Sequence, residues 1–125
     1  MEKLIFFVDD DKMILNLLEY TVKTRFDYHV KTFNYGENCL ENMTMNPDLI
    51  VLDYIFLSDG NEKMSGMDVL TEIRKKYKKL PVIILSGNED DGLEMEFLNK
   101  GASKFLCKNN YFIDALVETI NSHLS

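Results

Sequence analysis

Carboxylates, a hydroxyl and an ammonium stand at the ends of short apolar runs in this chain. Asp9-Asp10-Asp11 follows Leu4-Ile5-Phe6-Phe7-Val8, and Asp53 follows Leu49-Ile50-Val51-Leu52. Ser86 follows Val82-Ile83-Ile84-Leu85, and Lys108 follows the stretch from Ser103 to Cys107. Neighbouring carboxylates repel unless a cation or water separates them. A hard cation such as Mg²⁺ prefers carboxylate and carbonyl oxygen and keeps several of its waters. A carboxylate such as Asp53 can also act as a nucleophile and form an acyl phosphate. Phosphoryl transfer asks a protein mainly for positioning and for neutralisation of charge on the transferred oxygens. Mg²⁺ and Lys108 would supply that positive charge, and Ser86 a hydrogen bond. Each group alone has an ordinary use, since an acid after a strand caps a loop or a helix and suits the helix dipole. The chemistry requires that these ends meet.

The surrounding pattern brings them together. The runs at Leu4–Val8, Leu49–Leu52 and Val82–Leu85 read as strands buried on both faces, with Asn46-Pro47-Asp48 as a turn before the central one. His29-Val30-Lys31-Thr32-Phe33 alternates, as a half-exposed edge strand does, and Ser103 to Cys107 forms a short last strand. Between them lie helical patterns. Ile14, Leu17, Leu18, Thr21 and Val22 share one face, and a short helix follows Gly36 through Leu40 and Met43. Ser65-Gly66-Met67-Asp68 resembles a capping box, ahead of Leu70, Ile73 and Tyr77 at helical spacing. Lys75, Lys76, Lys78 and Lys79 crowd the end of that helix and read as a solvated, dipole-complementing terminus. Glu89-Asp90-Asp91 starts a helix with Leu93, Phe97 and Leu98 inward and Gly101 at its C′ position. Phe112, Ile113, Leu116, Val117, Ile120 and Leu124 line a final helix. Strict alternation of strand and helix predicts an α/β fold, a doubly wound parallel sheet with helices on both faces and right-handed crossovers. In such sheets ligands bind beyond the carboxyl ends of the strands, which places all of these polar ends at one edge.

The chain's 125 residues suffice for one domain, 1–125, with one core. Hydrophobic content is 46% and charged content 28%, a globular composition. The net charge of −7 argues against direct binding to nucleic acid or to an anionic membrane. Cys39 and Cys107 fit no metal spacing and read as reduced, buried cysteines. No stretch has the length of a membrane span or the apolar core of a signal peptide, so a cytoplasmic protein is expected.

Jointly the motifs Phe7-Val8-Asp9-Asp10, Val51-Leu52-Asp53, Ile84-Leu85-Ser86-Gly87 and Gly101-Ala102-Ser103-Lys104-Phe105-Leu106-Cys107-Lys108 resemble the receiver domain of two-component response regulators. They span the chain in that family's order. The resemblance implies a flavodoxin-like fold with five strands in the order 2-1-3-4-5 and five helices. It implies that Asp53 accepts a phosphoryl group from a sensor histidine kinase or a histidine phosphotransfer protein. Asp9 and Asp10 would hold Mg²⁺ (or Mn²⁺) together with Asp53 and the backbone carbonyl of Ile55, with Asp10 a direct ligand. Ser86 and Lys108 would engage the phosphoryl group, and Phe105 would be the switch aromatic. The output would be a protein surface read by a downstream target or output domain. The expected molecule is a phosphoacceptor rather than an enzyme, with self-phosphorylation from small donors and autodephosphorylation as its own chemistry.

The chain departs from the family in two places. The loop from Asp53 to Gly66 is longer than usual by roughly five residues and lacks the usual proline; Asp59-Gly60-Asn61 is a turn signal within it. It reads as a solvated excursion or, as the second reading, as a segment that gates the site or contacts a partner. Asn109 stands where the family has proline, so a trans bond is expected there, because a cis non-proline bond costs about 2.5–4 kcal/mol. Two other readings compete. A phosphatase of the haloacid dehalogenase type would use Asp9 as nucleophile but would leave Asp53 unexplained. A degenerate receiver would act only as a binding module. A flavodoxin-like electron carrier is disfavoured because the acids after the first strand would repel a flavin phosphate.

Overall fold

The computed structural model describes residues 3–54, 65–87 and 90–125. Five strands, β1 (Leu4–Val8), β2 (His29–Phe33), β3 (Leu49–Asp53), β4 (Val82–Ser86) and β5 (Lys104–Cys107), alternate with five helices, α1 (Lys12–Arg25), α2 (Gly36–Glu41), α3 (Gly66–Lys76), α4 (Asp91–Asn99) and α5 (Phe112–Leu124). A single 3₁₀ turn, Met43–Met45, leads to β3. All strand pairs are parallel, and the order is β2-β1-β3-β4-β5. This is the doubly wound arrangement expected from the sequence.

The apolar runs form the inner strands because both faces of the sheet are covered. β3 and β4 are buried at every position, whereas β2, at the edge, alternates. On one face Phe6, Ile50, Leu52 and Ile84 pack with Cys39 of α2, Val69, Leu70 and Ile73 of α3, and Phe97 of α4. On the other, Ile5, Phe7, Val51 and Ile83 pack with Leu15, Leu18 and Val22 of α1 and with Leu116 and Ile120 of α5. Burial of Cys39 pushes its thiol up to about 12, which leaves it inert at neutral pH. Cys107 is free and only half-buried, contrary to the expectation that both cysteines are buried.

Two helix faces are set differently from the sequence reading. In α1 Leu15 is buried and Leu17 is 44% exposed, and in α4 Leu98 is 41% exposed. β5 begins at Lys104 rather than Ser103; Ser103 instead offers its hydroxyl oxygen to the Val82 N–H. The capping box is present: the Ser65 hydroxyl accepts from Asp68 N–H and the Asp68 carboxylate from Ser65 N–H. α4 ends in the paired bonds of a Schellman turn, Ala102 N–H to the Phe97 carbonyl and Gly101 N–H to the Leu98 carbonyl. Gly101 has φ +108°, a conformation that favours glycine. Arg74 closes this corner, donating twice to the Gly101 carbonyl and once to that of Tyr77. The neighbouring Lys75, Lys76, Lys78 and Lys79 are exposed, as expected, and Lys75 pairs with Glu72.

Candidate functional site

Sheet register brings the polar strand ends to one edge. Val8 pairs with Leu52, so Asp9 and Asp53 leave the sheet side by side. Asp53 pairs with Leu85, and Ser86 pairs with Cys107. The chain ends are tied down by main-chain bonds: Asp9 N–H to Phe33 carbonyl, Tyr54 N–H to Leu85 carbonyl, and Lys108 N–H to Ser86 carbonyl. α3 begins hard against this edge. A Cβ on Gly66 would lie 2.7 Å from the Asp53 carbonyl oxygen, so only glycine fits there.

The structure brings together Asp9, Asp10, Asp53, Ser86 and Lys108, which with Tyr54 and Asp90 line an open cleft of about 370 Å³. Asp9 (2% exposed), Asp53 (6%) and Ser86 (3%) are buried. The Lys108 ammonium lies 2.8 Å from Asp9 Oδ2 and 3.0 Å from Asp53 Oδ1. Asp9 Oδ1 accepts from the Asp11 N–H at 3.0 Å. Burial first, and then the neighbouring charge of Asp9, push the Asp53 carboxyl up to about 6 against the pull of Lys108. Burial alone would lower the Lys108 ammonium, but its bonds and ion pairs with Asp9 and Asp53 more than offset this and raise it. Phe105 is buried at 8% exposure, one ring away from α4.

Oxygen atoms of Asp9, Asp10 and Asp53 lie within 4.8 Å of one another. Clustered carboxylates with one ammonium among them are a hard, net-negative donor set, which fits Mg²⁺ or Mn²⁺. Asp11, the third acid of the run, lines the same cleft but stands outside this cluster. It caps α1, accepting from Met13 and Ile14 N–H. Asp11→Ala is therefore expected to lower stability by about 1 kcal/mol in urea melts while changing Mg²⁺ affinity by no more than about threefold, as befits an exposed, screened charge. The Ile55 carbonyl, the turn at Asp59–Asn61 and the other charged residues of that loop, with Asn88 and Glu89, lie outside the described residues.

Sequence reasoning missed Tyr54, Asp90 and Leu93 as walls of the cleft. Tyr54 was signalled only by following Asp53. Asp90 caps α4 through the Leu93 N–H, and an acid before a helix reads as a cap whether or not it faces a site. Among the described residues no helix is long and apolar enough to cross a membrane.

Comparison with known proteins places the chain by family and fold. The family model of the response regulator receiver domain matches residues 5–121. The chain is 32% identical over 109 residues to the alkaline phosphatase synthesis transcriptional regulatory protein PhoP of Bacillus subtilis (strain 168), covering 86% of this chain and 43% of that protein. It is 30% identical over 105 residues to the transcriptional regulatory protein QseB of Haemophilus influenzae (strain ATCC 51907 / DSM 11121 / KW20 / Rd), covering 83% and 45%. The chain thus spans less than half the length of these curated relatives. The signal receiver domain of a LuxO repressor protein from Vibrio parahaemolyticus superposes with a TM-score of 0.86 at 27% identity, over 99% of this chain and 91% of that one. With a family model matching residues 5–121 and a parallel sheet in the order β2-β1-β3-β4-β5, the chain belongs to the response regulator receiver domain family.

Proposed function

We propose that Asp53 is the phosphoacceptor of this receiver, taking a phosphoryl group from the phosphohistidine of a sensor histidine kinase or a histidine phosphotransfer protein. The observation that carries this is the setting of Asp53: a buried carboxylate at the mouth of the cleft, beside two further acids and held by Lys108 at 3.0 Å. An Asp53 oxygen attacks phosphorus, the phosphorus–nitrogen bond of the donor breaks, and the imidazole leaves with the electron pair and is then protonated. Asp9, Asp10 and Asp53 would hold Mg²⁺, which would supply neutralisation of charge on the transferred oxygens. Lys108 stays beside Asp53 and pairs with the new phosphoryl group, which carries about −1.5 to −2 charges. The Ser86 hydroxyl, at the end of the adjacent strand, donates to it. Conformations that bring Ser86 and Lys108 closer are thereby favoured, and Phe105, buried on the same strand as Cys107 and next to α4, responds to them. Residues 1–125 act as one domain, in the cytoplasm, through a downstream protein or output domain rather than by touching nucleic acid.

Asp9 is poorly suited to be the nucleophile of a phosphatase. One of its oxygens accepts from the Asp11 N–H and the other pairs with Lys108. The test is intact-protein mass after incubation with acetyl phosphate, with Mg²⁺ and with chelator. One phosphoryl adduct that needs Mg²⁺ is expected. Steady release of inorganic phosphate that persists in Asp53→Asn would point to the phosphatase reading, and no adduct together with no release to a binding module.

A further inference from the structure

α4 is fastened unevenly. Of its nine residues only Phe97 is buried. Its C-terminal end is fixed by the Schellman bonds and by Arg74, whose guanidinium donates twice to the Gly101 carbonyl. Its N-terminal end carries Asp90 and Leu93, which line the phosphoacceptor cleft. The single buried anchor is gripped from two sides. The ring of Tyr54, the residue after Asp53, meets Phe97 edge to face at 5.4 Å and 88°. Phe105 of β5 meets the same ring at 5.9 Å. Tyr54 is itself pinned, its N–H to the Leu85 carbonyl and its carbonyl to the Gly66 N–H. The Phe97 pocket is therefore built from the chain that carries Asp53 and the strand that leads to Lys108.

We propose that Tyr54 is a positioning residue that couples the acceptor to α4. Any change in the spacing of Asp53 and Lys108 changes the separation of the Tyr54 and Phe105 rings and so tilts Phe97. Packed aromatic rings resist gradual deformation, so the helix responds as a body. With the far end held by Arg74, the displacement falls on the end bearing Asp90 and Leu93. This rests on Asp53 being the acceptor. Physical continuity alone is not coupling, so the test must measure transmission.

The experiment follows backbone amide shifts on adding Mg²⁺ and beryllofluoride to wild type, Tyr54→Ala and Tyr54→Phe. In wild type, shifts are expected at Asp53, Gly87 and Lys108 and along Leu93–Asn99. Tyr54→Ala should reduce the shifts of α4, taken relative to those at the site in the same protein, by at least about threefold; Tyr54→Phe, which keeps the ring, should restore that ratio. Should Tyr54→Ala be too unstable, Tyr54→Leu, which fills the space without the flat ring, takes its place with the same expected loss. Undiminished α4 shifts in the ring-less variant would overturn the coupling. Wild-type silence at the site itself would overturn the acceptor assignment instead.

Discussion

Asp53→Asn is expected to take up no phosphoryl group from acetyl phosphate and, in metal-free buffer at pH 7, to be more stable than wild type. The two effects have opposite signs because the same feature causes both. Asp53 is 6% exposed, faces Asp9, and has its carboxyl pushed up to about 6 by burial first and by that charge second. A carboxyl that titrates near 3.8 when solvated and about 6 here binds its proton more tightly when folded. Its favourable contribution is fully present below pH 3.8 and is lost as pH rises through about 6. At pH 7 ionisation of this group costs roughly 2–3 kcal/mol. An amide of the same shape does not ionise, so urea melts should show Asp53→Asn gaining about 2 kcal/mol at pH 7 and almost nothing at pH 4. Mg²⁺ should narrow the gap, because wild type keeps all of its carboxylate ligands. A variant less stable than wild type at pH 7 would mean that Asp53 is not strained by its neighbours.

Lys108→Ala should act in the reverse direction. The ammonium bridges two carboxylates that are 2% and 6% exposed. Removing one member of a buried ion cluster leaves the remaining charges uncompensated, which typically costs 3–5 kcal/mol; with the Lys108 side chain 19% exposed, about 3 kcal/mol is expected. The loss should shrink as pH falls and one carboxyl takes a proton, and also when Mg²⁺ is added. The metal should in fact bind about tenfold more tightly to Lys108→Ala, since an ammonium within 3.0 Å of Asp53 competes for the same oxygens. Calorimetric titration reads this directly. Weaker Mg²⁺ binding in the variant would show that Lys108 organises the ligands rather than competing with the cation.

The strand skeleton was legible because the buried runs of β1, β3 and β4 are too apolar to face water on either side. The site was legible for a related reason. Once parallel order is fixed, every polar strand end must lie on one edge, and Asp9, Asp53, Ser86 and Lys108 do. What the pattern concealed was the rotation of the helices. α1 carries overlapping apolar stripes, and periodicity does not decide between Leu15 and Leu17; the sheet surface does, leaving Met13, Leu17 and Tyr20 exposed. α4 is similar, with Phe97 taken inward and Leu98 left out. The three consecutive acids look alike as residue types, and the family resemblance set Asp9 and Asp10 apart; in the structure these two cluster with Asp53, while Asp11, on the same cleft, caps α1. The Arg74 clamp could not be read at all, since it depends on a carbonyl 27 positions away.

The most direct test of the acceptor assignment is to trap the phosphoprotein with borohydride and sequence its peptides by mass spectrometry. Hydride reduces an aspartyl phosphate to the alcohol, so the acceptor position is marked as homoserine. Homoserine at position 53, formed only after Mg²⁺ and acetyl phosphate, is the expected result. Homoserine at position 9 would contradict it and make Asp9 the nucleophile.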